Sequence, residues 1–446
     1  MGQQYASRKG IWGWMLFDWA SQPFNTLIVT FIFAPYFYDF VSSDPKQGQV
    51  IWANTITVAS LIIALTAPFL GAVADRIGPR KPWIFFFMFP FLIGCTSLWW
   101  GAPGMENPIW ILVAFGVAFI GAEYMLIFAN AMLPDLVPRS ETGKVSGAGW
   151  GFGYLGGIIP LFIVLLLMAP SPGSETTLLG IDPILGLDPE KGEPARATGP
   201  MSAIWFAIFV IPLFLWTPDT KKKTVPKRVF SEAWSGLKVT FGKVKSHRSL
   251  MAYLASSMIY RDAMIALFAF GGIYADGVLG WGAFELGIFG IIAAITGAVG
   301  AWYGGLMDKK HGPKPVVVVS IVALAIVGTI TISTSRDAIL FVSVEAGSNL
   351  PDIIFYICGG ILGAASGSLQ AASRTLLIYQ AEGKIPMTEA FGLYALSGKA
   401  TAFIGPFLIA IATWLFDSQQ LGVSPVIGLF VIGLIILRWV KTEPET

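Results

Sequence analysis

The chain alternates long oily runs with short polar breaks, and the runs exceed what a water-soluble core uses. A helix needs about 20 apolar residues to cross a bilayer. Twelve runs approach or pass that length, at 11–41, 50–75, 82–101, 108–133, 144–169, 200–217, 249–278, 283–307, 315–334, 352–379, 387–416 and 422–440. The expected fold class is an all-α membrane protein of twelve transmembrane helices. The run after Arg8 and Lys9 is too long for a cleavable signal core.

Composition agrees. Of 446 residues, 55% are hydrophobic and 13% charged, where a soluble domain carries about 25% charged. Cys95 and Cys358 lie inside apolar runs and imply no disulfide framework. His247 and His311 sit apart in basic loops and suggest no metal site. No phosphate-cradling loop, paired metal-ligand motif or Ser/His/Asp set in its required context is present. The expectation is a non-enzyme without cofactor.

Charge placement sets the orientation. Lys and Arg concentrate in loops facing the cytoplasm. With the amino terminus inside, 21 of the 29 bases fall on that side, 4 on the other and 4 within spans. Both termini are then cytoplasmic, as in a plasma (inner) membrane, and 170–199 lies outside. Nine of the bases fall in 218–248, which divides an N-terminal six-helix bundle (1–217) from a C-terminal one (249–446). This segment reads as a positive-inside linker along anionic headgroups rather than a regulatory nucleic-acid or phosphoinositide site. Its "FSEAWSGLKVTF" suits a short surface helix.

The halves repeat. "GAVADRIGPRKP" (71–82) and "GGLMDKKHGPKP" (304–315) each leave an apolar run with Gly, three residues, Asp and a base, then close on Gly-Pro, bases and Pro. Both fall between the second and third spans of their half, so the chain reads as a duplicated six-helix unit. Asp75, Arg76, Arg80, Asp308 and Lys309 are candidate gate residues, able to pair across to a neighbouring helix end.

This loop resembles the signature of the major facilitator superfamily. "FDWASQPFNTLIVTFIFAPYF" (17–37), "SGAGWGFGYLGG" (146–157) and "FGLYALSGKATAFIGP" (391–406) resemble segments of its branch of vacuolar amino-acid effluxers linked to autophagy. The chain departs at "SQPF" (21–24), where Asn-Ser-Ala-Tyr or similar is the pattern. The resemblance implies two six-helix bundles that transport by alternating access, with spans 1, 4, 7 and 10 lining a central cavity.

Ionisable residues inside spans are functional candidates by default. Asp18 falls in span 1, Glu123 in span 4, Arg261 and Asp262 in span 7, Arg374 in span 10 and Lys399 in span 11. Gln22 and Asn25 extend Asp18 into a polar stripe, expected opposite Arg261 or Arg374. Arg374 is near enough to the inner surface to snorkel. Arg261 and Asp262 point about 100° apart, so each needs its own partner. Gly149, Gly153 and Gly157 form a stripe for close helix approach. Trp281 is one of several tryptophans expected to anchor span ends.

The expected function is secondary active transport of a small polar or zwitterionic solute, amino acids first. A proton is the expected coupling ion, carried on a carboxylate with Glu123 best placed; Na+ is the alternative. Other readings are a sugar–cation symporter, a lysolipid transporter, or a non-transporting membrane receptor or scaffold. The partners are a small-molecule substrate and the lipid bilayer, and the chain is expected to be a monomer.

Overall fold

The computed structural model describes residues 5–42, 44–171, 174–224, 227–345 and 347–442. Among them are twelve helices long and apolar enough to cross a membrane. Spans 1 to 6 are Arg8–Val41, Pro45–Ile77, Lys81–Trp100, Ile109–Leu136, Arg139–Met168 and Glu193–Trp216. Spans 7 to 12 are Arg248–Leu279, Phe284–His311, Pro313–Ile332, Leu350–Ala381, Met387–Phe416 and Gln420–Leu437. The chain is an integral, multi-pass, nearly all-helical membrane protein. One small hairpin between spans 9 and 10 pairs Ala338 with Ser343 and Ile339 with Val342.

Several helices begin before their apolar runs do. Span 6 starts at Glu193, where Gly192 takes a left-handed φ of 65° and Pro194 fits the first turn. Helix formation needs no oiliness, so hydropathy alone misses such a start.

The chain packs as two compact units. The first holds Met1–Thr66, Ile77–Val137 and Phe152–Thr224; the second holds Ala67–Arg76, Pro138–Gly151 and Val225–Thr446. The last turns of span 2 and the first turns of span 5 therefore belong with the second unit.

The first unit has an aromatic core. Trp52 stacks on Phe115 with centroids 3.9 Å apart, and Phe24 packs against Phe91 and Phe115. Buried Trp14 donates its indole N–H to the Ala129 carbonyl at 2.7 Å. Pro23 has no N–H to offer the Trp19 carbonyl one turn back. That carbonyl instead accepts the Trp205 indole N–H at 3.3 Å. Beyond Pro23 the helix widens to π-type bonding over Phe24–Phe31.

The second unit relies on close backbone approach and buried hydroxyls. A Cβ added at Gly363 would collide with the Ala293 carbonyl, and one at Gly367 with that of Gly297. Spans 8 and 10 thus press together where only glycine fits. Tyr253 donates to the Ser373 carbonyl at 2.5 Å, and the Tyr260 and Ser373 hydroxyls meet at 2.7 Å. Trp281 is buried and donates to Asp352 at 2.5 Å, so it fastens the structure instead of anchoring an interface. The pull of a carboxylate outweighs the pull of the headgroup region there.

Candidate functional site

The repeated loop builds two crossed contacts inside the second unit. A Cβ at Gly71 would fall 2.6 Å from the Thr388 carbonyl, so only a glycine lets span 2 press on the start of span 11. One turn on, Asp75 receives the Thr388 hydroxyl at 2.7 Å and the Glu389 backbone N–H at 2.9 Å. A carboxylate at a helix N-terminus satisfies orphan amides and faces the positive end of the dipole. Arg76 then pairs with Glu389, the third residue of that helix, at 3.4 Å.

The second copy repeats this on span 5. Lys309 pairs with Glu141 at 2.5 Å, and Glu141 is again the third residue of its helix. Gly305 packs on Gly147, and Asp308 lies against Gly143. Here the copies diverge. Both oxygens of Asp308 are buried, with no donor among the described residues in good hydrogen-bonding geometry. The Thr375 hydroxyl beside it donates instead to the Ala371 carbonyl at 3.3 Å.

Arg80, grouped by sequence with the gate, stands in the first unit. It bridges to Asp135 at 2.5 Å, while Asp219 accepts the backbone N–H groups of Arg80 at 2.9 Å and Lys81 at 2.8 Å. Asp219 thereby caps span 3. The next base completes the repeat: Lys81 donates to the Phe214 carbonyl at 3.0 Å and Lys314 to the Val440 carbonyl at 2.6 Å.

The membrane-embedded charges divide between the units. In the first, Asp18 is buried, Gln22 half-buried and Asn25 exposed. The stripe does not continue as a regular helix face, because the π-type turns beginning at Phe24 change the angular step. Asp18 lies alongside Gly153, and the Gln22 stem along Gly157. Two of the three stripe glycines thus seat span 1. A second set, Gly143, Gly147 and Gly151, seats span 8. Glu123 is half-buried in span 4.

In the second unit, span 11 is not one helix. It runs Met387–Ala400 and resumes at Ile404–Phe416. Charges gather at this interruption. The Arg261 guanidinium donates to the Tyr394 carbonyl at 3.0 Å, lies 4.1 Å from the centre of the Tyr394 ring and fills the space left by Gly398. Asp262 is 2% exposed and lies beside Thr401, with Oδ1 unpartnered among the described residues. Lys399 is half-buried in the last turn before the break. Arg261 and Asp262 do look apart, toward different turns of span 11.

Arg374 does not snorkel. It is 3% exposed and donates to the Ser146 hydroxyl at 3.0 Å and the Ser146 carbonyl at 2.9 Å, with Trp150 beneath it. Partners within reach on span 5 outweigh a longer stretch to the headgroups. Sequence reasoning missed Thr388, Glu389, Glu141 and Asp219. The one local signal was an acid in the first turn of a helix following proline, in "IPMTE" and "VPRSE".

Known proteins share this architecture. A family model described as "Vacuole effluxer Atg22 like" matches residues 50–445. The uncharacterized MFS-type transporter YxiO of Bacillus subtilis is 25% identical over 439 residues, covering 97% of this chain and 95% of that protein. Autophagy-related protein 22 of Coccidioides immitis is 22% identical over 287 residues, 60% of this chain but 44% of the fungal one. The chain thus matches under half of that relative's length. Among solved structures, the Escherichia coli fucose:proton symporter superposes with TM-score 0.67 at 15% identity, covering 98% of both chains. The human organic anion transporter TETRAN gives 0.68 at 14% identity, covering 96% of this chain and 99% of that one.

Proposed function

The chain belongs to the vacuole effluxer Atg22-like family, and from that premise we propose that it carries small zwitterionic solutes, amino acids first, in exchange with or alongside protons. Its place among major facilitator transporters, not enzymes, rests on the family match, the relatives and the shared fold. The finer reading rests on the interruption of span 11. An interrupted membrane helix exposes backbone carbonyls and a dipole end at membrane depth, a recurrent setting for substrate and ion sites. There Asp262 presents a buried oxygen that has no hydrogen-bond partner among the described residues, fit to receive an ammonium. Arg261 and Lys399 stand within a turn or two of it, fit to receive a carboxylate.

Within the first unit, Asp18 and Glu123 are acidic groups in spans 1 and 4, and we assign the coupling proton to Glu123. The crossed contacts of Asp75 and Asp308 act as the gate on the linker's side, which we take as cytoplasmic from the charge count. A ligand that binds only the folded state raises its stability, by about 2.7 kcal/mol at a hundred times Kd. Thermal unfolding of purified protein against amino acids, sugars and lysolipids therefore tests the reading. Amino acids should stabilise the wild type and lose that effect in Asp262→Asn. Stabilisation by sugars or lysolipids alone would overturn it.

A further inference from the structure

The linker helix, Val229–Ser246, carries two faces that the transport mechanism leaves unexplained. Ala233, Leu237 and Thr240 are buried. At 100° per residue, Phe230, Trp234, Lys238, Phe241 and Lys245 fall on a neighbouring ridge at steps of four, four, three and four. All five are exposed, Phe230 by 64% and Trp234 by 56%. Exposed aromatics interleaved with lysines match a helix lying in a bilayer interface, apolar side chains in the acyl boundary and bases at anionic headgroups. The ridge also continues onto span 2, a helix long and apolar enough to cross a membrane. Phe230 and Trp234 meet the ring of Phe69, with centroids 6.4 and 6.1 Å away. Phe69 lies in span 2, one turn beyond the exposed Leu65.

The inner face touches the gate. Thr240 donates its hydroxyl to Glu389. A Cβ at Gly236 would collide with the Arg76 guanidinium, so the helix backbone backs the partner of that same glutamate. We propose that the linker helix senses anionic lipid: docking of its aromatic–lysine ridge onto a negatively charged leaflet holds Gly236 and Thr240 against Arg76 and Glu389 and keeps the Asp75 gate closed. The occupant is the bilayer itself, selected by charge complementarity and by continuity with span 2. The inference rests on the gate reading above but needs no particular substrate.

Backbone hydrogen–deuterium exchange on the full chain in vesicles tests it. Two peptides matter: the linker helix, and the start of span 11 containing the Glu389 amide bonded to Asp75. Adding phosphatidylglycerol to phosphatidylcholine should slow exchange in both. Each base near an anionic surface contributes about one kcal/mol, so Lys238→Gln with Lys245→Gln should remove up to roughly thirty-fold of that protection. Thr240→Val should keep the linker response and lose the response at span 11. Exchange indifferent to phosphatidylglycerol, or unaltered by the double substitution, overturns the proposal. So does a linker that responds while wild-type span 11 does not, or equal protection by inorganic phosphate in neutral vesicles. None of these readouts involves flux, so an absence of amino-acid transport would strike the proposed function and leave this result standing.

Discussion

Asp75 holds the start of span 11 through a residue 314 positions away: its Oδ2 accepts the Glu389 N–H at 2.9 Å. The same glutamate takes Arg76 through its side chain. Two consecutive residues in the last turn of span 2 thus grip one helix end by backbone and by charge. The second copy places Lys309 on Glu141 in the same position. This repeated geometry turns a loop signature into a candidate gate.

Asp75→Asn keeps the shape and removes the charge. A carboxylate at a helix N-terminus contributes up to about 2 kcal/mol, or roughly thirty-fold in an opening equilibrium. A thiol introduced at buried Ala390 should therefore react several-fold to thirty-fold faster in the variant, at near-normal expression. Unchanged reactivity with transport retained would reduce the repeat to a topology signal.

Glycines separate packing from propensity. At Gly147 a Cβ would lie 2.5 Å from the Ala301 carbonyl and from Gly305 Cα, atoms that cannot move without shifting a helix. Gly147→Ala should cost about 1–3 kcal/mol. At Gly242, inside the linker helix, nothing lies within 4 Å. Gly242→Ala should stabilise that helix by about 0.5–1 kcal/mol. Thermal unfolding of both variants should move in opposite directions, and a shared sign would contradict the packing read here.

Much of this was legible in the chain because lipid makes hydropathy a direct record of which segments it surrounds. The twelve spans, the surface helix in the linker and the repeated Asp-base loop all follow from local pattern. Partners did not, since they depend on which helices meet. Arg374 could be placed near a membrane edge by counting, but Ser146, 228 positions away, decides where its guanidinium goes. Beyond Gln22 the spacing could not be read as a regular helix, because Pro23 frees the Trp19 carbonyl and π-type turns follow from Phe24. The interruption at residues 401–403 had a local signal that the apolar run concealed: Gly405 and Pro406 follow it, and Pro406 has no N–H to offer the Ala402 carbonyl one turn back.

Topology follows from the placement of bases. A cysteine in place of Lys222, on the linker, should resist membrane-impermeant reagents in intact cells. One in place of Leu185, which is 85% exposed in the 170–199 segment, should react with them. The reverse pattern would invert the protein in the membrane and with it the assignment of the gate to the cytoplasmic face.

Uptake into proteoliposomes tests the central claim most directly. With purified protein and an imposed proton gradient, labelled amino acids should accumulate, and a protonophore should abolish the accumulation. Asp262→Asn should lose uptake while the protein still folds, and Glu123→Gln should flatten its dependence on pH. Folded wild-type protein that moves no amino acid under any proton gradient would contradict the account.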